Sequence, residues 1–147
     1  MTFAVPTTIS EYDVVSYLRA DLGGMVDTFG WTTADGASDI AVEAMSVSDV
    51  SSLASVSGAD AVRRFRVILR AVAWRRVCSL TAGDFDFSAD GGRYDRSQIH
   101  GHAMEQARAA EADALAMGVD VSGLYTVCMH KVVDLDTVSD TSAEWAF

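Results

Sequence analysis

The densest set of oxygen-bearing side chains is Asp84-Phe85-Asp86-Phe87-Ser88-Ala89-Asp90-Gly91-Gly92. Asp84, Asp86, Ser88 and Asp90 alternate, as the first four oxygen ligands of an EF-hand calcium loop do. Such a loop also requires glycine at its sixth position and a bidentate glutamate at its twelfth. Ala89 and Asp95 stand there instead. The competing reading needs no ion: Asp and Ser side chains bond nearby backbone N–H groups in tight turns, and Gly91 or Gly92 supplies a positive φ. Phe85 and Phe87 would then plug the turn onto the core. The turn is the favoured reading, and no metal or cofactor is expected.

Other reactive side chains are scattered. His100 and His102 lie two apart on a predicted helix and diverge, and His130 is remote, so no zinc set forms. Cys78 and Cys128 lack a CxxC partner and sit in apolar patterns, which predicts buried free thiols and synthesis in a reducing cytoplasm. No nucleophile elbow, P-loop or dinucleotide fingerprint occurs. No carboxylate pair is set against a histidine. The expectation is a protein that is not an enzyme.

Basic residues are the stronger signal. Six of the eleven fall between Arg63 and Arg76, in a chain of net charge −10. At about 100° per residue, Arg63, Arg66 and Arg70 share one helical stripe, and Arg64 and Arg75 a second. Three readings compete. The stripe is a contact face for an acidic surface, on another copy or a different partner; it lines DNA; or it is a solvated face that balances local acids.

These residues must be positioned by helices. Thr7 to Leu22 has helical spacing in Ile9, Val14, Tyr17, Leu18 and Leu22, with Thr8 or Ser10 as cap, Pro6 upstream and Gly23-Gly24 as stop. Met25 to Asp35 is predicted as a connection or short turn anchored by Phe29 and Trp31. Asp35 to Met45 is a second helix with Ile40, Ala41 and Ala44 inward. Ser46 to Gly58 is serine-rich and predicts a loop or frayed turn. Ala59 to Leu80 is the central helix, carrying Val62, Phe65, Ile68, Leu69, Val72, Trp74 and Val77 over much of its circumference, with Gly83 beyond it. After the Asp84–Gly92 loop, Arg96 to Met117 is a helix with the narrow inner stripe Ile99, Ala103, Ala107, Ala110 and Ala114. Glu105, Arg108 and Glu111, three apart, suit local ion pairs. Gly118 ends it. Leu124 to Leu135 is β-branched and apolar, a strand or a further helix. Residues 134–147 are acidic and end in Trp145 and Phe147.

The 147 residues, half of them hydrophobic, fit one domain with a real core. No stretch approaches the roughly 20 apolar residues that span a bilayer, and the first residues carry no secretory pattern. The acidic balance disfavours wrapping nucleic acid through the whole surface.

A long helix bearing Ala73-Trp74-Arg75 precedes Phe85-Asp86-Phe87-Ser88-Ala89-Asp90-Gly91, and then come Tyr94 and the helix start Arg96-Ser97-Gln98. This order resembles the head–tail adaptor (connector) proteins of long-tailed phages. In them an aromatic–Asp–aromatic–Ser–Ala–Asp–Gly loop precedes a basic–Ser–Gln helix start. Helix order matches from about Tyr12 to Ala116, whereas the motif itself covers only the loop and the helix start. The serine-rich segment and everything after Gly118 match no pattern of that family.

The resemblance implies a virion protein of the phage neck, made in the host cytoplasm. Twelve copies would form a ring, a dodecamer that joins the portal to the head-closure or tail-terminator protein. The ring would extend the DNA channel without sequence-specific binding, and an acidic ring suits that passage because like charge prevents sticking to phosphates. The implied fold is mainly α: a small helical bundle with a long central helix over residues 1–118, and an extended C-terminal docking arm, a candidate for β structure, over 119–147. Arg63, Arg66, Arg70 and Trp74 on the central helix, with Tyr125, Val127, Val132, Val133, Trp145 and Phe147 in the arm, are the expected interface. Phe85, Asp86, Phe87, Ser88, Asp90 and Gly91 form the expected structural loop. The alternative is a small helical protein- or DNA-binding regulatory module using the Arg63–Arg76 face.

Overall fold

A computed structural model of the chain describes residues 3–82, 87–89, 92–94 and 96–121. The first helix, α1 (Glu11–Leu22), starts where Ser10 and Asp13 close a capping box. The Ser10 Oγ accepts from the Asp13 N–H at 3.3 Å, and the Ser10 N–H donates to Asp13 Oδ2 at 2.8 Å. Ile9 and Val14, both buried, occupy the positions of a hydrophobic staple around that cap. The helix therefore does not reach back to Thr7. Residues 7 and 8 are extended instead: Thr8 bridges Ser57, and the Gly58 N–H donates to the Thr7 carbonyl at 2.8 Å. Gly23, at φ +60°, ends α1 and donates its N–H to the Arg19 carbonyl.

In place of the expected connection a five-residue helix forms, α2 (Met25–Phe29). Val26 is fully buried in it. The anchors are as the sequence predicts: Trp31 is buried and stacks on Phe29 with ring centroids 5.1 Å apart. Helix α3 (Ser38–Ser48) lies three residues later than expected at both ends. In its C-terminal extension into the serine-rich stretch, Ser48 Oγ donates to the Ala44 carbonyl at 2.7 Å, so the hydroxyl bonds back onto the helix. Asp49 then turns left-handed at φ +56° and stops it. Ile40 and Ala44 face inward. Residues beyond Asp49 form the predicted loop, with a single 3-10 turn at Leu53–Ser55.

Helix α4 (Ala59–Thr81) is the spine. From Ala71 to Cys78 every residue but Arg76 is buried. A helix covered around so much of its girth needs neighbours on several sides, and α1, α3 and α5 (Arg96–Ala116) supply them. The largest contact is with α5, through Ala103, Ala107, Ala110 and Ala114, all at most 1% exposed. A stripe of methyl groups lets the two backbones come close. Ile99, expected in that stripe, is instead 44% exposed. His100 makes the contact at this end, its Nδ1 3.0 Å from Thr81 Oγ1.

Between α4 and α5 the expected loop contains an antiparallel pair, β1 (Phe87–Ala89) and β2 (Gly92–Tyr94), in register Phe87 to Tyr94, Ser88 to Arg93 and Ala89 to Gly92. Asp90-Gly91, which separates the strands in sequence, is a dipeptide that favours hairpins. After α5, Gly118 takes φ +78°, and the Val119 N–H returns to the Ala114 carbonyl at 2.9 Å. Val121 is buried in the core, so the helical body includes the chain up to that residue. The fold is mainly α, and no helix among the described residues is long and apolar enough to cross a membrane.

Candidate functional site

The arginines of α4 point at acids on the helices that surround it. Arg66 Nη2 lies 3.7 Å from Asp21 of α1, and its guanidinium sits 4.6 Å over the Tyr17 ring. Arg70 Nη1 reaches Asp113 of α5 at 3.2 Å. Arg76 reaches Glu43 of α3 at 3.3 Å. Arg75 is buried and is held by Glu111 of α5 through both Nε and Nη2. Four of the six arginines are thus paired within the chain, one neighbour helix after another. That is the reading in which the basic residues balance local acids. The acids in question come from other helices, however, and Glu111 pairs across to α4.

Burial raises the Asp21 carboxyl above the ordinary carboxylate range, and Arg66 and Arg70 pull it part of the way back. The remaining arginines, Arg63 and Arg64, are exposed and make no ion pair among the described residues. Of the expected central-helix interface, then, Arg63 is open, Arg66 and Arg70 are engaged within the chain, and Trp74 is not on the surface. Trp74 is 3% exposed. Its indole meets His102 edge to face at 5.8 Å, and its Nε1 has no hydrogen-bond acceptor among the described residues. Trp74 instead points at α5.

Two shallow grooves open on this body. One, about 410 Å³, runs between the start of α1 and α3, lined by Val14, Ala41, Val42, Met45 and Leu53 with Ser10 and Glu11 at its edge. The other, about 380 Å³, lies where α3 ends and α4 begins, with Val47, Phe65, Ile68 and Val119 as apolar lining and Arg64 beside them. Large apolar side chains are exposed elsewhere: Phe3, Val5, Tyr12, Leu80, Ile99 and Leu115. Sequence reasoning passes over Phe3 and Val5, although an uncharged apolar stretch ahead of a capped helix is visible there. It also misses Asp21, Glu43 and Asp113 as partners of the arginines. The available signal is one acid against six bases within α4, inside an acidic chain.

Among the described residues no group of three His, Cys, Asp or Glu side chains is placed to hold a metal. The candidate calcium ligands Asp84, Asp86, Asp90 and Asp95 lie outside the described residues, as do Phe85 and Gly91 of the loop and all of Tyr125, Val127, Val132, Val133, Trp145 and Phe147. Ser88 and Phe87 fall in β1. Cys78 is buried as expected. What the described surface offers is one open basic pair, one apolar groove, one of mixed character and several uncovered apolar side chains.

Comparison with known proteins found no matching family model, no similar curated protein and no similar solved structure.

Proposed function

We propose that this chain is a structural adaptor of the phage neck, a ring-forming protein that joins the portal to the head-closure or tail proteins and extends the DNA channel. The observation that carries the reading is where the family-like motif falls. Its Phe87-Ser88-Ala89 is the first strand of the pair set between the two longest helices, and its Arg96-Ser97-Gln98 is the first turn of α5. A motif of that composition at a helix–hairpin–helix junction suits an architectural role, since it joins α4 to the α5 that packs along it. In this reading the protein is not an enzyme. Its partners are further copies of itself, the portal and a head-closure or tail-terminator protein, and its place is the virion.

The paired arginines support this over the regulatory module. A DNA- or protein-binding face built on Arg63–Arg76 would have to release Asp21, Glu43, Glu111 and Asp113 from their partners. Among the described residues, Arg63 and Arg64 are the two of the six that make no ion pair. The test is recruitment: purified portal rings, mixed with this protein, are expected to gain a ring of density at one face by electron microscopy. Portal rings that stay bare at saturating protein would overturn the reading. Tight, salt-sensitive DNA binding in an electrophoretic shift would favour the module instead.

A further inference from the structure

We propose that the extended Phe3–Val5 segment of one copy docks in the α1–α3 groove of a neighbouring copy, so that copies associate head to tail. This contact deepens the ring reading by naming what joins one copy to the next. It rests on that reading only for closure into a ring, since association is measured on the chain alone.

Both halves of the contact are present on the chain, and among the described residues neither is covered. Phe3 is 92% exposed and Val5 59%, and no residue from 3 to 8 is buried. None of residues 3–9 lines the groove of its own chain. The hydrogen bond from Gly58 to Thr7 and the Thr8–Ser57 bridge tie the base of the segment to the strand-like residues ahead of α4. Pro6, with its fixed φ, stiffens the next step outward. The segment is therefore held out from the body, with a reach of roughly 13 Å from residues 3–6. The groove is apolar along Val14, Ala41, Val42, Met45 and Leu53, with Val42 59% exposed, and its volume of about 410 Å³ has room for a phenyl ring and a valine.

Charge favours a second copy as the occupant. Copies of a chain with net charge −10 repel at most approaches. Residues 3–10 carry no ionisable side chain, and Glu11 is the single one lining the groove, so this pair of surfaces puts no like charges in contact. The area fits as well. An arm of this size covers roughly 400 Å² on each side, about half of what each partner gives to a standard stable interface. A single contact is then weak, and a closed ring, in which every copy gives one arm and receives one, gains from multiplicity. Because arm and groove are different surfaces, the contact is heterologous and leads to rings or open chains, not to a two-fold dimer.

Sedimentation of the full chain tests this. Wild-type protein is expected to show a mass that rises with concentration. Phe3→Asp should weaken association at least about tenfold, the loss of one well-buried phenyl group. Ala41→Trp, which fills the groove, should do the same, with the rim substitution Val42→Asp as a second groove variant at an exposed site. Circular dichroism checks that each is folded. The decisive sample is an equimolar mixture of Phe3→Asp and Ala41→Trp. One intact arm and one intact groove remain in it, so heterodimers should form and growth should stop there. Wild-type protein that stays monomeric up to its solubility limit would overturn the proposal. So would Phe3→Asp protein that associates like wild type, or a mixture of folded variants that stays monomeric. Loss of self-association with portal recruitment intact removes this contact and leaves the ring reading standing; self-association without recruitment does the reverse.

Discussion

Arg75 and Glu111 meet across the α4–α5 interface, where the guanidinium donates from Nε to Glu111 Oε1, Nη2 completes the ion pair, and the two side chains are 6% and 15% exposed. Glu111 follows Ala110 on α5, and Arg75 belongs to the most buried stretch of α4. Glu111→Gln leaves a buried guanidinium facing a neutral amide and is expected to cost about 3 kcal/mol. Replacing both residues by methionine should recover most of that loss, because an apolar pair avoids desolvating two charges. Urea unfolding of the single and double variants measures the difference. A single variant as stable as wild type would show that the pair is not coupled to folding.

Asp21 should behave in the opposite way. Burial raises its carboxyl pKa in the folded chain. A group whose folded pKa is raised stabilises the fold while it is protonated, below its unfolded value, and that contribution is lost as pH rises through the folded value. At neutral pH the ionised carboxylate is therefore no net asset, even beside Arg66. Asp21→Asn is expected to change stability at neutral pH by no more than about 0.5 kcal/mol. It should also flatten the part of the stability–pH curve just above the ordinary aspartate pKa. A large loss at neutral pH would contradict the assigned direction.

The alanine stripe of α5 sets a third expectation. Ala107 is 1% exposed against α4. Ala107→Leu inserts a side chain where no space exists and should destabilise by about 1–3 kcal/mol. Leucine at Ala109, which is exposed, should be nearly neutral. Thermal melts of the two variants give the comparison, and equal melting temperatures would refute the close approach of the helices.

At the start of α1, Ser10→Ala removes the acceptor for the Asp13 N–H and is expected to cost about 1 kcal/mol. Ser10→Asp should retain most of the stability, since aspartate also caps. Denaturant midpoints report both, and an alanine variant with the wild-type midpoint would argue that the box carries nothing.

Removing residues 122–147 tests the docking arm of the proposed adaptor. The cut is placed after Val121 because that side chain is buried in the helical body. The truncated chain is expected to keep its helical circular dichroism and to lose recruitment to portal rings. Undiminished recruitment would show that the contact is made by the body.

The sequence by itself determined the helical class, the central place of α4 and the alanine face of α5. Each of these follows from periodicity, which acts along one segment and needs no knowledge of neighbours. It also offered Ser10 as a cap, because capping is a matter of a few consecutive residues. It read the Asp84–Gly92 stretch as a loop, since an antiparallel pair of three-residue strands is too short for alternation to register. Tertiary structure alone decided what the charges do. Arg66, Arg70 and Arg75 fall on helical stripes in one dimension, and their meaning, like that of Arg76, changed once Asp21, Asp113, Glu111 and Glu43 arrived from other helices. It likewise decided that Trp74 is core and Ile99 is surface, because burial depends on where the neighbouring helix lies and not on the hydrophobicity of the residue.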